Sequence, residues 1–209
     1  MPIGDSYATL ALLKTRLNIA NSNTDDDAAL TSALAAASLE IEGITGRQFN
    51  DAGSATARVY YPDDLANIIV DDFSTVTGLI VAADYSNGTS YATVIAAANY
   101  QVEPLNGVVD GTPGWPFYRI RAIQTWYPLW LATIGYPRAS VQITARWGWA
   151  AVPTPVVEAC LQMAESIFKM KEAPFGVAGT DAFGTIRVRE NPMVTSLLQR
   201  YIRSPILIT

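Results

Sequence analysis

The chain has 209 residues, half of them hydrophobic and 16% charged, with a formal net charge of -5. That length can bury a sizeable core, as one large domain or two small ones. The acidic balance and scattered Lys and Arg exclude broad nucleic-acid affinity, and no apolar run reaches the roughly 18 residues of a bilayer span. Ordinary chains carry about 25% charged residues. So lean a charge content means either an uncharged free surface or much surface facing other subunits. The start, MPIGDSYATLALLKTRL, lacks a basic region before an apolar core and is not read as a signal peptide. The single cysteine, Cys160, forms no internal disulfide and fits a reduced, intracellular folding compartment.

In chain order, Tyr7 to Leu17 reads as a short helix, with Tyr7, Leu10, Leu13 and Leu17 on one face and Ser6 or Asp5 as cap. After the polar break NIANSNTDDD, a second helix is expected from about Asp25 to Gly43. Its seam is Leu30, Leu34, Ala37, Ile41 and Ile44, and Ala33, Ala35 and Ala36 admit a close partner. Asp25, Asp26 and Asp27 are read as acids capping and solvating a helix N-terminus, in preference to a metal site.

From Ala57 the pattern turns to β. Runs at Arg58 to Tyr61, Asn67 to Val70, Gly78 to Ala83, Tyr91 to Ile95, Tyr100 to Val102 and Phe117 to Arg121 are separated by turns. Ser86-Asn87-Gly88-Thr89 is the sharpest of these, because Asn-Gly accepts positive φ at low cost. Ser140 to Trp147 alternates best: Val141, Ile143 and Ala145 share one face, and Gln142, Thr144 and Arg146 the other. Between the last two strands, Ile123 to Pro137 carries Trp126, Tyr127, Trp130 and Tyr136. This stretch either caps a sheet edge or forms a second, exposed docking surface.

The stretch Pro155 to Lys171 organises the whole. Pro sits in the first turn and Thr154 is the candidate cap. Val157, Leu161, Ala164 and Phe168 recur at helical spacing, with Cys160, Met163 and Ile167 widening the apolar face. A helix apolar over so wide an arc belongs at the centre of a core. Ala173 to Asn191 is Gly-rich and pliant, and reads as a mobile loop or inter-subunit arm: Phe175, Gly176, Gly179, Phe183, Gly184, Arg187 and Arg189 are its candidate contacts. Pro192 opens a last helix to Arg203, with Met193, Leu197, Leu198 and Tyr201 inward. The tail Pro205-Ile206-Leu207-Ile208-Thr209 is too apolar for a frayed end and is expected to dock on something.

The expected fold is α+β: a bundle of about four helices around the central helix 155–171, with an inserted antiparallel β-sheet or partial barrel. Residues 1–50 and 151–209 are expected to form one core, and 51–150 the inserted β-rich region.

Chemistry is sparse. Without histidine there is no Ser-His or Cys-His pair and no usual general base or zinc ligand. Cys160 on an apolar face reads as a small hydrophobe. Asp63-Asp64 and Asp71-Asp72 beside turns read as solvated acids, not a glycosidase pair. No enzyme, cofactor or metal is expected.

Three stretches carry a resemblance. They are Leu12 to Leu17 with Thr24 to Asp27 and the helix ending Ile41 to Arg47; Ala145 to Pro153 followed by Val156 to Phe168; and Glu172 to Gly179 through Phe183-Gly184 to Val188. In this order and spacing they resemble the phage head-to-tail connector family, the head-tail adaptor or head-completion proteins of tailed bacteriophages. The resemblance covers about half the chain and both ends. It implies a structural virion protein made in the host cytoplasm and placed at the neck. There it forms a ring of copies of itself, usually twelvefold, between the capsid portal and the stopper or tail components. It implies DNA passing through the lumen without specific binding, which the acidic balance suits, and no membrane. On this reading the C-terminal stretch, with Tyr201, Arg203, Pro205, Ile206, Leu207 and Ile208, docks on the portal. The arm contacts a neighbouring subunit or the next ring. A carbohydrate- or receptor-binding β module is the runner-up, motivated by Trp115, Trp126, Trp130, Trp147 and Trp149. A hydrolase working on carboxylates alone is a third reading.

Overall fold

The computed structural model describes residues 3–62, 67–84, 90–123, 141–170, 177–181, 184–187 and 192–203. Among these are helices packed on one another and antiparallel sheets, an α+β architecture without a closed barrel. The chain divides into two compact units, residues 3–49 with 152–209, and residues 50–151.

The first unit is helical. Helix α1 (Leu10–Arg16) is capped by Thr9, whose side chain accepts from the Leu12 N–H. The helix therefore starts later than Ser6 or Asp5 would allow, and Tyr7 lies before it. Helix α2 (Asp27–Thr45) ends on Gly46 in the left-handed region, φ 63°, with its N–H returning to the Glu42 carbonyl. The buried face of α2 is Leu30, Ala33, Leu34, Ala37, Ser38, Ile41 and Thr45. Ile44, expected in that seam, is exposed; the helix carries Thr45 inward instead, its hydroxyl bonded to the Ile41 carbonyl at 2.7 Å.

Helix α3 (Thr154–Lys169) has Pro153, not Thr154, at its cap, without a side-chain cap bond. It packs on α1, α2 and α4 (Pro192–Leu198), and so takes the central place expected of it. Its fully covered residues are Val156, Ala159, Cys160, Leu161, Gln162 and Ala164, whereas Val157, Met163, Ile167 and Phe168 are half-buried. The burial is thus rotated about one residue from the expected face, because small residues at 159, 160 and 164 let α2 approach closely. After α4 the chain tightens into a 3-10 turn, Gln199–Tyr201. Val194, Leu198 and Tyr201 are buried there, and Met193, expected inward, is exposed.

The second unit is β. A four-stranded antiparallel sheet has the order β1 (Thr56–Tyr60), β9 (Val141–Ala145), β3 (Ile80–Ala83), β4 (Thr93–Ile95). A three-stranded sheet has the order β2 (Asn67–Phe73), β8 (Phe117–Ala122), β5 (Tyr100–Glu103). A small ribbon pairs β6 (Val108–Val109) with β7 (Thr112–Pro113). Alternation in β9 puts Val141, Ile143 and Ala145 inward, as the sequence implies, against Ile68, Val70, Phe73, Val81 and Ile120. The bridge from Phe73 of β2 to Trp147, just beyond β9, links the two sheets around this core, and a second bridge joins Asp51 to Gly148. Asp71 and Asp72, expected beside a turn and solvated, lie within β2. Asp72 is buried and accepts from Trp149 Nε1 at 2.9 Å, while Asp71 meets Arg58 at 2.6 Å and the Tyr60 hydroxyl at 2.9 Å.

The Gly-rich stretch, read from the sequence as a mobile loop or inter-subunit arm, includes a hairpin, β10 (Val177–Asp181) with β11 (Gly184–Arg187).

Candidate assembly surfaces

The helical unit is held by polar contacts that are internal. Tyr7, fully buried, donates its hydroxyl to Glu42 Oε1 at 2.6 Å and accepts from the Phe49 N–H at 3.1 Å. Burial first, and the Glu42 carboxylate second, push its phenol well above the usual range. Burial likewise raises the Cys160 thiol, which sits 3.5 Å from Ser38 Oγ; a thiol so placed is no nucleophile. Lys14 is buried too, its ammonium pairing with Asp27 and donating to the Asn23 carbonyl at 2.7 Å. Asp27 stands in the first turn of α2, at the helix N-terminus as expected, and also forms the ion pair that holds the loop 18–27.

At the surface, Arg16 of α1 spans two carboxylates of α3, Glu158 and Glu165, each at 2.7 Å. Both carboxyls are held below their ordinary range, Glu158 by Gln162 and Arg16, Glu165 by Lys169 and Arg16. Depressed carboxylates contribute stability above their unfolded pKa, near 4.3, and lose it as pH falls through the lower folded value. Acidification from pH 5 to 3 is therefore expected to weaken the α1–α3 contact. Arg16→Met should flatten that part of a urea-midpoint profile against pH. The pairs are solvent-accessible, so the effect is of order 1 kcal/mol or less.

In the β unit, Arg146 forks onto both carboxylate oxygens of Asp51, which lowers the Asp51 pKa. They line an open cleft of about 400 Å³ together with Ala55, Ser74, Thr75, Thr77 and Ala150. The outer face of the four-stranded sheet lies beside it. Strand register places Val59, Gln142, Ala82 and Val94 in one row across all the strands, with Ala57, Thr144 and Ile80 in the next. None of the seven is ionisable, and Val59, Ile80 and Val94 are 50, 46 and 65% exposed.

Tyr201, expected at a docking surface, is buried. It packs edge-on against Phe49 at 5.7 Å, and its carbonyl accepts from Arg47 Nε at 2.9 Å. Arg203 is half-buried, its N–H bonded to the Thr45 carbonyl at 2.8 Å. Gly179, Gly184 and Arg187 lie in the β10–β11 hairpin. Phe175, Gly176, Phe183, Arg189, Pro205, Ile206, Leu207 and Ile208 lie outside the described residues, as do Trp126, Tyr127 and Trp130 and the Asn87-Gly88 turn. Trp115, Trp147 and Trp149 are buried, so none of these three offers a ring for sugar stacking. The outer sheet face escapes sequence periodicity because it exists only once β1, β3 and β4 are set beside β9.

The chain thus combines a helical unit with a β unit whose outer face is uncharged, and among the described residues no cluster of side chains is placed to hold a metal ion. Residues 7–105 match the family of phage gp6-like head-tail connector proteins, and the chain resembles the phage head-to-tail connectors. Its fold is similar to that of a chain in the neck of an empty GTA particle computed with C6 symmetry. There the TM-score is 0.54 at 23% identity, over 96% of this chain and 92% of that one. It is also similar to a chain in the virion of a native gene transfer agent (GTA) particle, with TM-score 0.51 at 21% identity over 96% and 92% of the two chains. A comparison with curated proteins finds no match.

Proposed function

We propose that the chain is a structural connector of a phage-like particle, seated at the head-tail junction and assembled there as a ring of identical copies. The observation that carries this reading is the similarity of fold to a neck chain over 96% of the sequence, both units included. The connector-family match over residues 7–105 supports it independently. The ring lies between the capsid portal and the stopper or tail components and continues the DNA channel. An acidic chain suits such a lumen, since basic walls would retain the passing phosphates. Twelve copies are the expected number.

The partition of surfaces follows. With Tyr201 committed to the core, the portal-docking role falls to Arg203 and the apolar Pro205, Ile206, Leu207 and Ile208. The arm around the β10–β11 hairpin contacts the neighbouring copy, because a two-stranded ribbon is marginal by itself and gains by packing on a partner. The aromatic stretch with Trp126, Tyr127 and Trp130 is a secondary interface. No catalytic role is assigned.

Deletion of residues 204–209 is the test. The truncated chain is expected to keep its circular dichroism and melting temperature but to lose portal binding by at least about 100-fold in Kd, the equivalent of roughly 3 kcal/mol. Unchanged binding, measured by mass photometry with purified portal, overturns the tail assignment. Cryo-electron microscopy of particles that places the chain outside the neck overturns the connector reading itself.

A further inference from the structure

Building on the ring reading, we infer that the outer face of the four-stranded sheet is the seat for a second copy of this chain, and that the segment seated there is the outward face of helix α2. A closed ring needs two different surfaces on each subunit, one to receive and one to be received. The sheet face is the receiving one. Its two rows, Val59–Gln142–Ala82–Val94 and Ala57–Thr144–Ile80, present three exposed aliphatics, Val59, Ile80 and Val94, around the buried Ala82, and no charge. Arg146, one residue beyond β9, is neutralised by Asp51 at the rim.

The complementary surface is found on the chain itself. Surface helices ordinarily turn charged residues to water. On α2 the arc opposite the core carries Ala28, Ser32, Ala35, Ala36, Leu39 and Gly43. Leu39 is 68% exposed, the most exposed of the large hydrophobics among the described residues, and Glu40 stands at the edge of the arc. From Ala28 to Gly43 this stripe runs about 22 Å at 1.5 Å per residue. The sheet is about 14 Å across its outer strands at roughly 4.8 Å per spacing, so one helix crosses the whole face. Small residues around Leu39 permit the close approach that a helix needs on a pleated surface, with Leu39 set among Val59, Ile80 and Val94. Copies that each carry a net charge of -5 meet with least repulsion where both faces are uncharged. A helix about 10 Å wide crossing a face about 14 Å across covers on the order of 150 Å², against the roughly 800 Å² per partner of a stable free interface. The contact should therefore hold only in the closed ring, where every copy makes it twice.

The test is disulfide trapping in assembled particles. Val94→Cys combined with Leu39→Cys should give, on oxidation, a ladder of covalent dimers, trimers and higher species, while neither single variant cross-links. Covalent dimers from Val94→Cys alone mean sheet packed on sheet, and overturn the proposal. So does a double variant that enters rings without cross-linking. Val94→Glu and Leu39→Glu should each cut incorporation into particles at least about tenfold, because an unpaired carboxylate is costly to bury. Their monomers should melt within a few degrees of the parent. If Val94→Glu unfolds the monomer, the face is covered by the chain's own residues and the proposal fails. A parent chain found as single copies in particles defeats the ring reading, whereas a ring with other contacts defeats only this assignment.

Discussion

Gly148→Ala is expected to unfold the β unit under conditions where the parent is stable. Gly148 adopts φ +92°, a conformation that L side chains rarely take, and a Cβ built there lies 1.6 Å from the Asn50 carbonyl oxygen. No side chain can rotate out of the way, because the obstacle is backbone. Nor can that backbone retreat cheaply: Asp51 is bridged to Gly148, and the Gly148 N–H donates to the Asp72 carbonyl at 2.6 Å. Left-handed strain and a backbone clash at one point place the cost above about 4 kcal/mol, or roughly 10 °C or more in melting temperature. Gly43→Ala is the control. Gly43 lies within α2, and a Cβ added there would meet nothing within 4 Å, so alanine should stabilise by up to about 1 kcal/mol. Two Gly-to-Ala changes of opposite sign, read by urea denaturation, separate steric necessity from helix propensity. Equal, small effects would show that the 50–51 backbone can yield.

Local periodicity explains why the helices and most strands are readable. Leu30, Leu34, Ala37 and Ile41 repeat at helical spacing and are buried, and the strict alternation of β9 predicts its inner face residue by residue. The runs on either side of Asn87-Gly88 do pair, as β3 with β4. Periodicity gives the width of an apolar arc, however, and not its centre. On α3 the centre is decided by where α2 comes closest, and Ala159, Cys160 and Ala164 outrank the larger Val157 and Phe168 because they are small. Met193 shows the same limit: the α4 turn needs Val194 and Leu198 inward, and a flexible thioether can remain outside.

What sequence could not supply is pairing at a distance. The order β1-β9-β3-β4 sets Thr56 to Tyr60 beside residues more than 80 positions later. The uncharged outer face is a product of that pairing and has no signature in any one strand. Polar side chains mislead for a related reason. Asp72 looks like a turn acid until Trp149 supplies a donor, and Tyr201, legible as an inward residue of the last helix, gives no sign that its carbonyl takes the Arg47 guanidinium or that its ring meets Phe49. A buried polar group is legible only with its partner, and here the partners lie tens of residues away.

Trp147→Ala is expected to cost about 3–5 kcal/mol, the range for emptying a large aromatic site in a core. Trp147 is 1% exposed. Its ring meets Phe73 edge-on at 6.2 Å and Tyr60 at 5.9 Å, and the Arg58 guanidinium carbon lies 4.6 Å from its centroid. Its Nε1 donates to the Thr56 carbonyl at 2.9 Å. The indole thus packs against residues of both sheets, and it faces no solvent on which a sugar could stack. Trp147→Phe restores most of the apolar volume but leaves the Thr56 carbonyl without its donor, so a smaller loss of about 1–3 kcal/mol should follow. Chemical denaturation of both variants gives the ordering Ala below Phe below parent if the ring is a keystone of the β core. A Trp147→Ala chain as stable as the parent would mean that the indole is held out of the core and free for recognition. The sugar-binding reading requires that outcome, and the contacts with Phe73, Tyr60 and Thr56 oppose it.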